Sequence, residues 1–230
     1  MHPARIAELL QPFLSATCHS ERSEEPAVLS AAQLQRISTY IDMLQHWNAR
    51  INLTAIRNEE EIVTRHFGES LFTARHLFPY VDVAEARSPK AEARLADLGS
   101  GAGFPGVPIK IWAPYIALTL IESNQKKATF LRELVRILTL TDVNIQNARA
   151  ETLSPSTFDV VTLRAVERLP KVLPVAAKLL APKGRLALLV SFSQLESSRS
   201  ALSDLTWDLP TPIPNSQSRI LLIGRAEPGL

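Results

Sequence analysis

Residues 94–112 read RLADLGSGAGFPGVPIKIW and hold four of the chain's 8 glycines, Gly99, Gly101, Gly103 and Gly106. The apolar segment RLADL has the pattern of a buried strand and runs directly into Gly99. A glycine-rich turn between a strand and the following helix lets backbone N–H groups approach a ligand closely. The carboxyl edge of a parallel sheet is where such folds bind ligands.

The motif fits two patterns. Gly101, Gly103 and Gly106 satisfy the dinucleotide spacing G-x-G-x-x-G, whereas Asp97, Gly99, Gly101 and Gly103 give D-x-G-x-G-x-G, the pattern of S-adenosylmethionine-dependent methyltransferases. Two details favour the second. The dinucleotide pattern starts late relative to the strand, and it puts Phe104 and Pro105 where a helix should open over a pyrophosphate. Glu122 closes the next strand, IALTLIES, where a carboxylate can accept hydrogen bonds from both ribose hydroxyls. That device serves either nucleoside ligand.

Outward from the motif, short apolar strands alternate with helical segments. RLADLG, IALTLIES, VNIQNAR, FDVVTLRA and RLALLVS read as strands, NQKKATFLRELVRILTL as a helix, and LPKVLPVAAKLLAPKG as a helix ending at Gly184. This alternation predicts an α/β fold with a mostly parallel sheet covered on both faces. SRILLIGRA adds an antiparallel strand, expected at the edge. Residues before 94 read as helices. Ser30 with Gln33 forms a capping box ahead of Leu34, Ile37, Tyr40, Ile41, Leu44 and Trp47, and Asn58 with Glu61 precedes Ile62, Val63, His66, Phe67 and Leu71. The small, charged stretch EARSPKAEAR (85–94) marks a connection, dividing the chain into a helical extension, 1–93, and a core, 94–230.

With 230 residues and 46% apolar composition the chain can bury a substantial core. One cysteine, Cys18, excludes an internal disulfide and a cysteine-based zinc site, so no metal is expected. No apolar run approaches the roughly 20 residues of a membrane-spanning helix, and the N-terminus lacks a secretory pattern. These features predict a cytoplasmic protein. The net charge of +2 divides into −2 over residues 1–94 and +4 beyond, an asymmetry that an ordinary solvated surface accounts for.

The combination LADLGSGAGFPGVPIKI, IESNQKKATFL, RAE at 149–151 and FDVVTLRAV at 158–166, preceded by WNARINLTAIRNEEEIVTRHFGESL, resembles the small-subunit ribosomal RNA methyltransferase G family, RsmG, formerly GidB. The resemblance implies a class I S-adenosylmethionine-dependent methyltransferase fold, Rossmann-like with a seven-stranded, mostly parallel sheet, and an N-terminal helical extension. It implies methyl transfer from S-adenosylmethionine, leaving S-adenosylhomocysteine, to N7 of a guanosine in the 530 loop of 16S rRNA. The partner is then the rRNA, within the 30S subunit or an assembly intermediate, and the enzyme is expected to act as a monomer.

Carried over by position, Asp97, Gly99, Ser100, Gly101 and Gly103 line the methionine end of the donor, with Phe104 beside them. Glu122 meets the ribose, Ala150 and Glu151 lie by the adenine, and Arg164 faces the reacting centre. Guanine N7 attacks through a lone pair with no proton to remove, so alignment supplies much of the catalysis. Read alone, Arg164 fits equally an ion pair with a surface acid at a strand end or a donor to guanine O6 or a phosphate. His66 reads as a packed histidine that docks the extension near the donor, Asn48, Asn52 and Thr54 as staples of the helix junction, and Lys126 and Lys127 as solvated charges.

Two family elements are replaced. LLVSFSQLES stands where a Lys-Gly pair follows the fifth strand, and GRAEPGL where a basic, proline-containing tail is common; both are positions suited to RNA contact. A methyltransferase of the same fold acting on another RNA site or a small molecule, and a non-catalytic nucleotide-binding module, are the alternative readings. An NAD-dependent oxidoreductase is a more distant one.

Overall fold

The computed structural model describes residues 1–15, 28–78, 93–164 and 169–227. Cys18, most of the expected connection at 85–94, and Ala165 and Val166 lie outside the described residues.

Helix α1 (Pro3–Leu14) opens on a proline, whose missing N–H is harmless in the first turn, and buries Ile6, Leu10, Phe13 and Leu14. In α2 (Ala31–Asn48) the capping box forms as expected: Gln33 N donates to Ser30 Oγ at 3.3 Å, and Ser30 N donates to Gln33 Oε1 at 2.8 Å. Ile37, Tyr40, Ile41 and Leu44 are buried, while Leu34 and Trp47 are partly covered. Asn58 caps α3 (Glu59–Glu61), which continues through a π-helical stretch, Ile62–Gly68, into α4 (Glu69–Leu77). Widening the helix there leaves Ile62, Val63, His66 and Phe67 all buried.

Among the described residues, eight strands make one sheet: β1 (Arg94–Leu98), β2 (Ala117–Ile121), β3 (Val143–Gln146), β4 (Phe158–Arg164), β5 (Leu180–Ser191), β6 (Leu205–Trp207), β7 (Thr211–Pro212) and β8 (Arg219–Ala226). Their order is β3-β2-β1-β4-β5-β8-β6, seven positions wide, with β7 also paired to β8. The first five run parallel and β8 is antiparallel to β5. The parallel strands are joined through α5 (Gly106–Trp112), α6 (Gln125–Ile137) and α7 (Leu169–Leu179), and α8 (Leu195–Ala201) follows β5.

Alternation along the strands feeds two cores. On β5, Leu186, Leu188 and Val190 face the cluster covered by α7 and α8, while Ala187 and Leu189 face the other. That second cluster is continuous from Leu118 and Leu120 of β2, through α5 and α6, to Ile6, Tyr40 and Phe67 of the N-terminal helices. The helices therefore complete one face of the sheet.

Two expectations are corrected. Helix α7 stops at Leu179 rather than running to Gly184. Leu180 already pairs with Phe158 of β4, Pro182 cannot donate to a helix, and Lys183 takes a positive φ of 62°. Strand β8 is not the edge: it lies between β5 and the short strands β6 and β7.

Candidate active site

The glycine loop leaves β1 in left-handed conformations, with φ of 67° at Gly99, 55° at Gly101 and 91° at Gly103. Such values favour glycine, which has no Cβ to meet the neighbouring carbonyl. A Cβ on Gly101 would make only an ordinary van der Waals contact, with Gly99 O at 3.7 Å, so conformation rather than crowding selects glycine there. At Gly103 a Cβ would also lie 2.6 Å from the Tyr40 hydroxyl, which donates to Ala102 O. Helix α2 thus closes on the loop through a space that only glycine leaves. Gly99 N and Ser100 N donate to Ile121 O at the end of β2, and Ser100 Oγ donates to Asp97 O.

Two carboxylates set the loop's position. Asp97 is fully buried and accepts from Thr162 Oγ1 at 3.0 Å and from Gly106 N at 3.2 Å. Burial pushes its carboxyl up to about 7 despite those donors. Glu122, 8% exposed, accepts from Gly101 N at 2.9 Å on Oε2 and from Asn124 N at 2.7 Å on Oε1. Each oxygen keeps one lone-pair position, enough for two further donors. Asn147 Nδ2 donates to Glu122 O and fixes the strand end.

The N-terminal helices supply the opposite wall. Phe104 is stacked on Tyr40 at 5.1 Å and on His66 at 4.7 Å, and meets Phe67 edge-on at 5.1 Å. His66 Nε2 lies 2.7 Å from Thr54 Oγ1, and Asn48 in turn holds Leu53 N, Thr54 N and Thr54 O. Burial, then the charges of Arg164, Arg65 and Arg219, push His66 down to about 3, so its ring is neutral. Its buried Nδ1 has no partner among the described residues. His66, Thr54, the Gly99–Ala102 turn, Phe104, Lys127 and Arg164 surround a cavity of about 260 Å³.

Arg164 closes β4 with its side chain 7% exposed. Nε and Nη2 donate to Glu69 Oε2 at 3.3 and 3.1 Å, and Nη2 also donates to Arg65 O at 2.7 Å. The acid it pairs with is itself buried on α4. The guanidinium carbon stands 5.9 Å from the Phe104 ring centre, so one side chain touches both the aromatic wall and the ion cluster.

The family model described as rRNA small subunit methyltransferase G (GidB) matches residues 33–204. The chain belongs to this family. Among similar proteins are the ribosomal RNA small subunit methyltransferases G of Xanthomonas axonopodis pv. citri, 39% identical over 178 residues with 77% of each chain covered, and of Roseiflexus castenholzii, 37% identical over 211 residues with 85% of this chain and 84% of the relative covered.

Solved structures agree on the fold. A ribosomal protein L11 methylase from Lactobacillus delbrueckii subsp. bulgaricus aligns at TM-score 0.56 and 16% identity, over 75% of this chain and 81% of its own. A predicted O-methyltransferase from Agrobacterium tumefaciens aligns at 0.51 and 21%, over 61% and 76%. The methyltransferase G fold is thus an α/β methyltransferase fold with a mostly parallel sheet.

In this member of the family, Gly99, Ser100, Gly101, Phe104 and Arg164 come together around the cavity. Gly103 lies behind it under Tyr40, and Asp97 is sealed beneath the loop. Glu122 joins the cavity through Gly101 N. Ala150 and Glu151 form a turn, Ala150–Thr152, beyond β3 on the same sheet edge, outside this cavity's lining. Lys126 is exposed as expected, but Lys127 is half-buried at the cavity. Sequence reasoning missed Thr162, Asn147, Glu69 and Arg219. Each acts through a contact distant in the chain and carries no spacing signal.

Proposed function

We propose that this chain transfers a methyl group from S-adenosylmethionine to N7 of a guanosine in the 530 loop of 16S rRNA, acting as a monomer in the cytoplasm, without a metal, on the rRNA of the 30S subunit or an assembly intermediate. The observation that carries this reading is the tie between Gly101 N and Glu122 Oε2, 2.9 Å, across a loop of three left-handed glycines. It presents free carboxylate lone pairs to a ribose diol beside a close-approach backbone, which is what a nucleoside without phosphates needs.

The residues fit that donor. Glu122 takes the two ribose hydroxyls, and Gly99, Ser100 and Gly101 bring backbone against the amino-acid end. Asp97 holds the loop's shape from below rather than touching the ligand. Ala150 and Glu151 stand beyond β3 for the adenine. Phe104 and the neutral His66 make the wall, with His66 Nδ1 left to meet a polar group. When bound, S-adenosylmethionine supplies an electrophilic methyl group on a sulfonium sulfur. N7 presents a lone pair and carries no proton, so a neutral His66 and a paired Arg164 suffice. Arg164 Nη1 donates to no group among the described residues and is available to guanine O6. The helices of residues 1–93 serve as the docked extension that completes this wall.

Titration calorimetry with S-adenosylmethionine, S-adenosylhomocysteine and NAD, on wild type and Glu122→Ala, tests the donor. Both adenosyl compounds are expected to bind, at least tenfold weaker in the variant, and NAD not to bind. Methyl transfer to unmethylated 30S subunits, with N7-methylguanosine scored after digestion, tests the substrate. Donor binding without transfer to RNA would overturn the proposed activity.

A further inference from the structure

Arg164 also lines a second cavity, about 300 Å³, on the carboxyl edge of β4 and β5. Its polar lining is Arg65, Arg164, Arg219, Ser191, Gln194 and Ser218. All three guanidinium groups converge on one carboxylate: Glu69 lies 3.1 Å from Arg164, 2.9 Å from Arg219 and 3.5 Å from Arg65. Glu61 reaches Arg65 only at 3.7 Å, with both side chains nearly half exposed. One buried acid cannot neutralise three cations, so the cavity wall carries excess positive charge. Arg219 Nε is buried without a partner among the described residues, and the side chain pairs with Glu69 through Nη2. Several of its five N–H donors are therefore unspent.

The rim adds a second chemistry. Phe192, directly after β5, is 62% exposed, and its backbone N donates to Ser218 O at 2.7 Å. That bond locks the turn carrying Phe192 to the segment leading into Arg219. An exposed aromatic ring carried between the lining residues Ser191 and Gln194, together with unspent guanidinium donors and serine hydroxyls, matches a nucleic-acid strand, with its base faces and phosphates.

We infer that this second cavity is the docking subsite for the RNA strand next to the reacting guanosine, with Arg219 and Arg65 holding a phosphate and Phe192 stacking a flanking base. This rests on the proposed activity and adds to it how the substrate is held. Arg164, shared by both cavities, sets the phosphate subsite one side chain away from the donor.

The test is steady-state methylation of unmethylated 30S subunits by wild type, Phe192→Ala, Phe192→Trp, Phe192→Leu and Arg219→Gln, with donor affinity measured in parallel by calorimetry. Phe192→Ala is expected to raise KM for 30S about tenfold, as loss of one base–aromatic stack does, with donor affinity unchanged. Phe192→Trp should restore KM and Phe192→Leu should not. Arg219→Gln should raise KM and flatten its salt dependence by about one phosphate contact. Should Arg219→Gln fail to fold, the exposed Phe192 series still decides the matter. Wild-type KM in Phe192→Ala, or leucine serving as well as tryptophan, would overturn the subsite while leaving the methyltransferase activity standing. Absence of transfer by the wild type would overturn both.

Discussion

Glu69 and Arg219 meet 2.9 Å apart, joining α4 of the N-terminal helices to the antiparallel strand β8. Glu69 is 2% exposed and also pairs with Arg164 of β4. Three elements distant in the chain are thus locked through one carboxylate.

Removing that carboxylate leaves two largely buried guanidinium groups without a counter-charge. Glu69→Gln keeps the shape and is expected to cost about 3–5 kcal/mol, the usual penalty for breaking a buried ion pair from one side. Urea unfolding measures it. A loss below about 1 kcal/mol would mean that water reaches the cluster and screens it.

Two glycine substitutions separate conformation from close approach. Gly101→Ala makes only an ordinary contact with Gly99 O, so it should cost about 1–2 kcal/mol of backbone strain and abolish donor binding by shifting the N–H that Glu122 holds. Gly103→Ala adds the clash with Tyr40 and should destabilise more. Tyr40→Phe in the Gly103→Ala background should restore part of that stability. Equal unfolding midpoints for the two single variants would contradict the packing account.

Phe104 carries the contact between extension and loop, touching Tyr40, His66, Phe67 and the Arg164 guanidinium. Phe104→Ala is expected to cost about 3–5 kcal/mol, as for other buried aromatic truncations, and to weaken donor binding as the wall collapses. Thermal unfolding with and without S-adenosylhomocysteine checks both, and an undiminished ligand-induced shift in Tm would remove Phe104 from the donor wall.

The strand–helix alternation after residue 93 was legible because apolar runs and glycines report local geometry directly. The capping box of α2 and the Asn58 cap of α3 were legible for the same reason. The ion cluster was not. Glu69 reads as one acid in an amphipathic helix, and only the fold brings it to Arg164 and Arg219, 95 and 150 residues later. The π-helical stretch Ile62–Gly68 was hidden because a widened turn shifts the buried face without changing composition. The α7 boundary was misread because a leucine–alanine run suits both a helix and the strand it becomes, and pairing with Phe158 decides. Asp97 was legible as a donor-lining carboxylate at the strand end, but its complete burial and its bond from Thr162, on another strand, were not.

Asp97 and His66 should act oppositely on stability as pH changes. Asp97 has a folded pKa raised from 3.8 to about 7, so its contribution is fully present below pH 3.8 and is lost as pH rises towards 7. His66 has a folded pKa lowered from 6.5 to about 3, so its contribution is fully present above pH 6.5 and is lost as pH falls towards 3. Each has a limiting slope of about 1.4 kcal/mol per pH unit, and between roughly pH 4 and 6.5 the two nearly cancel in the wild type. Asp97→Asn should therefore unmask stability that rises with pH across this window, aided by His76, which burial also lowers. His66→Gln should unmask stability that falls. Urea unfolding at pH 4.5, 5.5 and 6.5 on the three proteins gives the slopes, and parallel profiles would show that neither group titrates differently in the folded state.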